Sequence, residues 1–224
     1  MKINAMEKTK DPSLSKLLSK TYCFVNSKKT FFFFYEKVVT FLGFLSVFFS
    51  LTFITLIITF DSFLGFFLPS INGLLEFLLL IISIAMAISV HELSHIVILA
   101  NRSVRARSAG LSLKGIVGGY VEADVDEETY GRLIRPFFSC GLGSNLLLFL
   151  ILGLISIVFP ILWIPAAVNL WFAVLNSIPA PLMDGGKIFE IYLQAIRNKI
   201  INELLPLLIM LLWFVIFIFK FIIM

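Results

Sequence analysis

The 224-residue chain contains two histidines, and they stand four residues apart in HELSH, residues 91–95. On a helix, positions i and i+4 share a face. His91 and His95 can therefore present two imidazoles to one metal ion, and the H-E-x-x-H pattern points to zinc. Glu92 falls beside such an ion, placed to take a proton from an attacking water as general base and to return it to the leaving amine. The alternative is a few polar residues facing the inside of a helix bundle. That alternative is weak, because the cluster lies in a stretch, Leu74 to Ala100, that is otherwise apolar apart from Glu76. Ionisable groups inside a transmembrane helix are costly and tend to mark function. A catalytic zinc site commonly has three protein ligands and one open position, so a third ligand must come from Asp, Glu or Cys. Asp184 is the candidate, within NSIPAPLMDGG, residues 176–186. Pro179 and Pro181 deny a regular helix there, while Gly185 and Gly186 let the backbone turn closely around a site. Asp184 also reads as the cap of a following helix, a role compatible with ligation.

These residues need a scaffold, and composition says which solvent it meets. With 59% hydrophobic residues, a mean hydropathy of +1.01 and 25 phenylalanines, a soluble domain would have too little polar surface. The solvent is lipid. A crossing takes about 20 apolar helical residues, and five stretches qualify: Val38 to Phe60, Leu74 to Ala100, about Phe137 to Phe159, about Ile161 to Ala180, and about Glu203 to Ile223. The expected fold is thus an all-α membrane protein, a polytopic bundle of about five transmembrane helices with a small membrane-associated β element between the second and third. Residues 1–37 form a polar, lysine-rich tail and residues 38–224 the membrane domain, with a core at about 74–190. Phe31 to Tyr35 are expected at the membrane interface, where aromatic rings favour the headgroups.

Lysine and arginine placement orients the bundle. Of 18 such residues, eight precede Val38, six lie between Arg102 and Arg135, three lie between Lys187 and Lys199, and Lys220 alone falls outside the pattern. The N-terminus, the middle loop and the loop before the last helix should face the cytoplasm. The net charge of +4 then reflects topology, with no nucleic-acid partner implied. On this topology the second and fourth helices both run inward, so His91, His95 and Asp184 reach a similar depth on the cytoplasmic side. Cys23 and Cys140 are the only cysteines; both fall on that side, where a disulfide is not expected.

At this point HELSH and NSIPAPLMDGG resemble the two hallmarks of the site-2 protease family of intramembrane zinc metalloproteases. Asn169 resembles a further asparagine of that family. FSCGLGSN, residues 138–145, resembles its small-residue segment, and Gly118, Gly119, Tyr120 and Val121 resemble its β element. The resemblance covers about Leu74 to Glu190. Met183 stands where leucine is commoner, and Leu142 replaces a frequent proline. No inserted PDZ or regulatory nucleotide-binding domain is expected, as in a minimal catalytic core. The resemblance implies one zinc ion per chain held by His91, His95 and Asp184, with Glu92 as catalytic base. It implies a transmembrane protein substrate cut within or beside its membrane segment, in regulated intramembrane proteolysis.

Asn176 is implied to hold substrate or the developing oxyanion, though an interhelical hydrogen bond suits it equally well. Asn145 and Asn169 read as packing and hydrogen-bonding residues. Ser112 to Val121 reads as short strands or a hairpin whose free edge could pair with an extended substrate. The acidic run Glu122 to Glu128 reads as solvated surface. A membrane zinc transporter would spread ligands over several depths, against the single cluster here. A non-catalytic membrane protein of the same fold would have no need of Glu92.

Overall fold

The computed structural model describes residues 12–60, 67–112, 118–180, 183–193 and 199–223. The expected turn around Asp61, the centre of the hairpin, Pro181 and most of the loop before the last helix lie outside them. In chain order the elements are α1 (Pro12–Ser27), α2 (Lys29–Thr59), α3 (Leu74–Asn101), β1 (Ser108–Ser112), β2 (Gly118–Glu122), α4 (Glu127–Ser156), a 3-10 turn (Pro160–Leu162), α5 (Trp163–Asn176), α6 (Asp184–Leu193) and α7 (Lys199–Ile223). The chain is predominantly helical. Three helices, α2, α3 and α4, with 31, 28 and 30 residues, are long and apolar enough to cross a membrane. The fourth and fifth expected crossings contain shorter apolar helical stretches, Pro160–Asn176 and Leu204–Lys220.

Two helices start earlier than the apolar runs that marked them. Helix α2 begins at Lys29, nine residues before Val38, because Phe31 to Tyr35 continue the helix instead of flanking it. Helix α4 begins at Glu127, where the Asp126 carboxylate accepts the Thr129 backbone N–H at 2.7 Å and caps the first turn. That bond holds the Asp126 carboxyl below the usual carboxylate range. Pro136, inside α4, does not end the helix. The polar tail also contains helix α1, which the lysine-rich composition did not suggest.

Helix α4 is the hub and packs against α2, α3, α5 and α6. Its segment from Ser139 to Leu146 is wholly buried, and small side chains there let neighbouring backbones close in, as in membrane helix pairs generally. A Cβ on Gly43 of α2 would lie 1.9 Å from the Ser139 carbonyl oxygen, and one on Gly143 would lie 1.8 Å from that of Val39. The two glycines thus set reciprocal contacts between α2 and α4. Apolar clusters fill the remaining space, one around Val47, Leu142, Ile188 and Phe189 and another around Phe53, Leu170 and Val174.

Polar ties hold the helices that carry the candidate ligands. Glu36 of α2, 4% exposed, accepts from Asn101 Nδ2 at 2.6 Å and from the Arg102 guanidinium, fastening α2 to the end of α3. Helix α3 stops in a Schellman turn. Ser103 takes φ 62°, Val104 N–H donates to Leu99 O at 2.8 Å and Ser103 N–H to Ala100 O at 3.0 Å. On the far side, the Ser46 and Ser177 hydroxyls meet at 3.0 Å. Tyr192 Oη donates to Phe44 O at 3.0 Å, so α2 also anchors α6.

The strands β1 and β2 form an antiparallel hairpin with Ser108 opposite Glu122 and Gly110 opposite Tyr120. The first strand begins at Ser108, four residues before the expected start, and the Ser108 hydroxyl donates to the Glu122 carboxylate at 2.5 Å. Outside the packed centre, large apolar side chains such as Leu74, Leu75, Ile82, Leu154 and Ile222 are exposed around the bundle. A surface of this kind suits lipid and is ill suited to water.

Candidate metal centre

His91 and His95 stand on one face of α3, each 5% exposed. Asp184 opens α6, far away in sequence, and its carboxylate is carried to the same point. His91 Nε2 and His95 Nε2 lie 3.1 and 3.2 Å from the same oxygen, Asp184 Oδ2. The three residues form a group able to hold a metal ion. Asp184 occupies both places read for it, at the start of a helix and in the cluster.

The donor set fits a small tetrahedral ion. Zinc bonds of 2.0–2.1 Å place adjacent tetrahedral ligands about 3.3 Å apart, close to the two separations observed. The same distances would also suit hydrogen bonds from the two rings to the buried Asp184 Oδ2, although the angles are poor for them. Three potential ligand atoms thus gather within reach of a single ion.

Neighbouring groups set the orientation of each ring. Cys140 Sγ lies 3.5 Å from His95 Nδ1, and its own proton goes to Phe137 O at 3.0 Å. The thiol thus backs the His95 ring at Nδ1, while Nε2 faces Asp184. Support of this kind behind a ligating histidine is usual, though a carboxylate or carbonyl more often supplies it. Phe137 also packs against the His95 ring, with centroids 4.6 Å apart. The other ring has no such partner among the described residues: His91 Nδ1 is buried without a hydrogen bond there. Around it pack the Phe172 ring, with centroids 5.6 Å apart, and the bare Cα of Gly141. A Cβ on Gly141 would meet three His91 ring atoms at 2.5 to 2.7 Å.

The aspartate arm depends on close backbone contact as well. A Cβ on Gly185 would lie 2.3 Å from the Ser177 carbonyl carbon, and one on Gly186 2.0 Å from Ala180 O. These glycines let α6 start directly against the turn that follows α5, which brings Asp184 to the histidines.

Glu92, half-buried, follows His91 on α3. Asn176 ends α5 and donates to Phe172 O at 2.9 Å within its own helix; among the described residues it makes no interhelical hydrogen bond. Asn145 does bridge helices, donating to Ala87 O of α3 at 3.1 Å, whereas Asn169 donates to Pro165 O in its own helix at 2.8 Å. Gly118, Gly119, Tyr120 and Val121 all belong to β2, which packs against α3. Among the described residues β1 is the only strand paired with β2, which leaves its other edge without a strand. The role of Cys140 was missed from sequence. A lone cysteine carries no spacing signal, and only the packing of α4 on α3 places it behind His95.

Comparison of the chain with protein-family models, curated proteins and solved structures found no match. The functional reading accordingly rests on the site's own chemistry.

Proposed function

We propose that the protein is an intramembrane zinc metalloprotease that hydrolyses peptide bonds within or near the transmembrane segments of membrane-protein substrates. The observation that carries this reading is the meeting of His91 and His95 from α3 with Asp184 from α6 around one buried point, with Glu92 on the same helix as the histidines. One zinc ion held there would polarise a peptide carbonyl and make a water molecule acidic enough to attack it. Glu92 accepts the proton of the attacking water and passes it to the leaving amine as the C–N bond breaks. The aromatic rings of Phe137 and Phe172 flank the His95 and His91 rings, and apolar surroundings of this kind strengthen electrostatic interactions.

In the proposed topology the shorter helical stretches 160–176 and 204–220 complete five crossings, and the N-terminus and the metal centre lie on the cytoplasmic side of the cell membrane. The open edge of β2, through Gly118 to Val121, holds the substrate extended by strand addition, because a helical peptide bond is shielded by its own hydrogen bonds. Asn176 turns its amide from Phe172 O to the substrate when one is bound. The test is cleavage of a model transmembrane substrate in detergent by the wild type and by Glu92→Gln. Cleavage by the wild type and none by the variant supports the proposal; equal cleavage by both rejects Glu92 as the base.

A further inference from the structure

We infer that α1 (Pro12–Ser27) is a membrane-surface helix that binds anionic phospholipid headgroups through Lys16, Lys20 and the following Lys28 and Lys29. This rests on the reading of the chain as a membrane protein. Helix α1 has two faces. Leu18 and Val25, 8% and 0% exposed, point inward, and α1 packs chiefly against α3. Asn26 Nδ2 donates to Ala100 O at 3.4 Å, and the Arg105 guanidinium lies 5.0 Å over the Tyr22 ring. Helix α1 is therefore fixed beside the end of α3, where the histidine helix stops.

Among the described residues the other face has no partner. Leu17 and Phe24, seven residues apart and so in line on the helix, are 56% and 60% exposed. Lys16, Lys20 and Cys23 lie beside them and are exposed. The helix contains no acidic residue, and none of Lys16, Lys20, Lys28 and Lys29 makes an ion pair among the described residues. After the one-residue break at Lys28, α2 opens with Phe31, Phe33 and Phe34, which are 65%, 52% and 67% exposed. The lysines and the apolar stripe of α1 thus adjoin the aromatic end of a helix long enough to cross the membrane, the level at which aromatic rings meet headgroups.

A soluble acidic partner would satisfy the lysines but leave Leu17, Phe24 and the phenylalanines in water. An anionic lipid surface takes both: phosphates pair with the ammonium groups while the apolar stripe sinks between the headgroups. The surface fits that occupant.

Cys23 reports on this face, since it is exposed while the other cysteine, Cys140, is buried. The protein is placed in nanodiscs of phosphatidylcholine alone or mixed with phosphatidylglycerol, and the rate of Cys23 modification by a neutral polyethylene glycol maleimide is measured. Anionic lipid should slow modification about tenfold at low salt, as a few lysines near a charged surface imply, and high salt should remove most of that difference. Replacing Lys16, Lys20 and Lys28 together by Gln should abolish it. Continued protection of Cys140 shows that the fold is intact. Equal rates in the two bilayers at low salt, with Cys140 protected, overturn the inference, as does a lipid dependence that survives high salt and the triple substitution. Flotation with phosphatidylcholine vesicles after an alkaline wash separates the two claims. A chain that floats but shows no lipid effect refutes only the role of α1; a chain that does not float refutes the membrane reading and this inference with it.

Discussion

Replacing Gly141 by Ala should remove His91 from the proposed metal centre while leaving the bundle folded. The added Cβ would sit 2.5 Å from Cε1, 2.6 Å from Nε2 and 2.7 Å from Nδ1 of the His91 imidazole. Carbon contacts settle near 3.5 Å, so ring and methyl must separate by about 1 Å. Helix α4 has no room to retreat, since Gly143 already meets the Val39 carbonyl of α2 at the limit of contact. The ring must yield instead, and no hydrogen bond at Nδ1 restores its direction. Ligand distances tolerate only about 0.2 Å, so a shift of this size takes one of three ligands out of reach. Zinc affinity should fall by at least about a hundredfold, the upper end of what changes behind a ligand produce, and overpacking should lower stability by about 1–3 kcal/mol. Chelator competition gives the first quantity and thermal unfolding in detergent the second. Gly131→Ala is the control, because nothing lies within 4 Å of its added Cβ. If folded Gly141→Ala binds zinc as the wild type does, the packing account of His91 is wrong.

Other substitutions test separate parts of the structure. Ser103→Gly should raise stability by about 1 kcal/mol in thermal unfolding, since φ 62° is free of strain for glycine alone; no gain would mean that the Schellman turn is not formed as described. The Asp126 carboxyl has its pKa lowered in the folded chain by the Thr129 N–H. Its contribution to stability is therefore present above the ordinary carboxylate pKa and is lost as pH falls through the lowered value. The difference in melting temperature between wild type and Asp126→Ala should be present at neutral pH and shrink in acid, and a difference independent of pH would show that the cap does not depend on charge. Cys140→Ala should weaken zinc binding about tenfold by releasing His95 Nδ1, read by the same chelator competition; unchanged affinity would show that the thiol does not orient the ring.

Much of the centre was legible because its signals are local or rare. Two histidines at helical ligand spacing in an apolar stretch, and an aspartate bracketed by prolines and glycines, need no tertiary knowledge to be noticed. Their convergence was suggested by charge placement, and Asp184 Oδ2 lies 3.1 and 3.2 Å from the two ring nitrogens. Helix starts were less legible. Hydropathy marks where a helix turns apolar, whereas Asp126 and the Phe31 to Tyr35 run determine where α4 and α2 begin. Helix α1 was hidden because its lysines gave the tail a polar average, masking Leu18 and Val25 at helical spacing. Contacts that depend on how helices cross had no signature at all: Glu36 with Asn101 and Arg102, Ser46 with Ser177, and Cys140 with His95.

The central claim is a single metal centre shared between α3 and α6, and the metal content of purified protein tests it most directly. Wild type and Glu92→Gln should each carry about one zinc per chain, as a three-ligand catalytic site holds, and Asp184→Ala, folded by the same thermal criterion, should carry almost none. A wild type without zinc, or an Asp184→Ala variant with its full complement, would contradict the account.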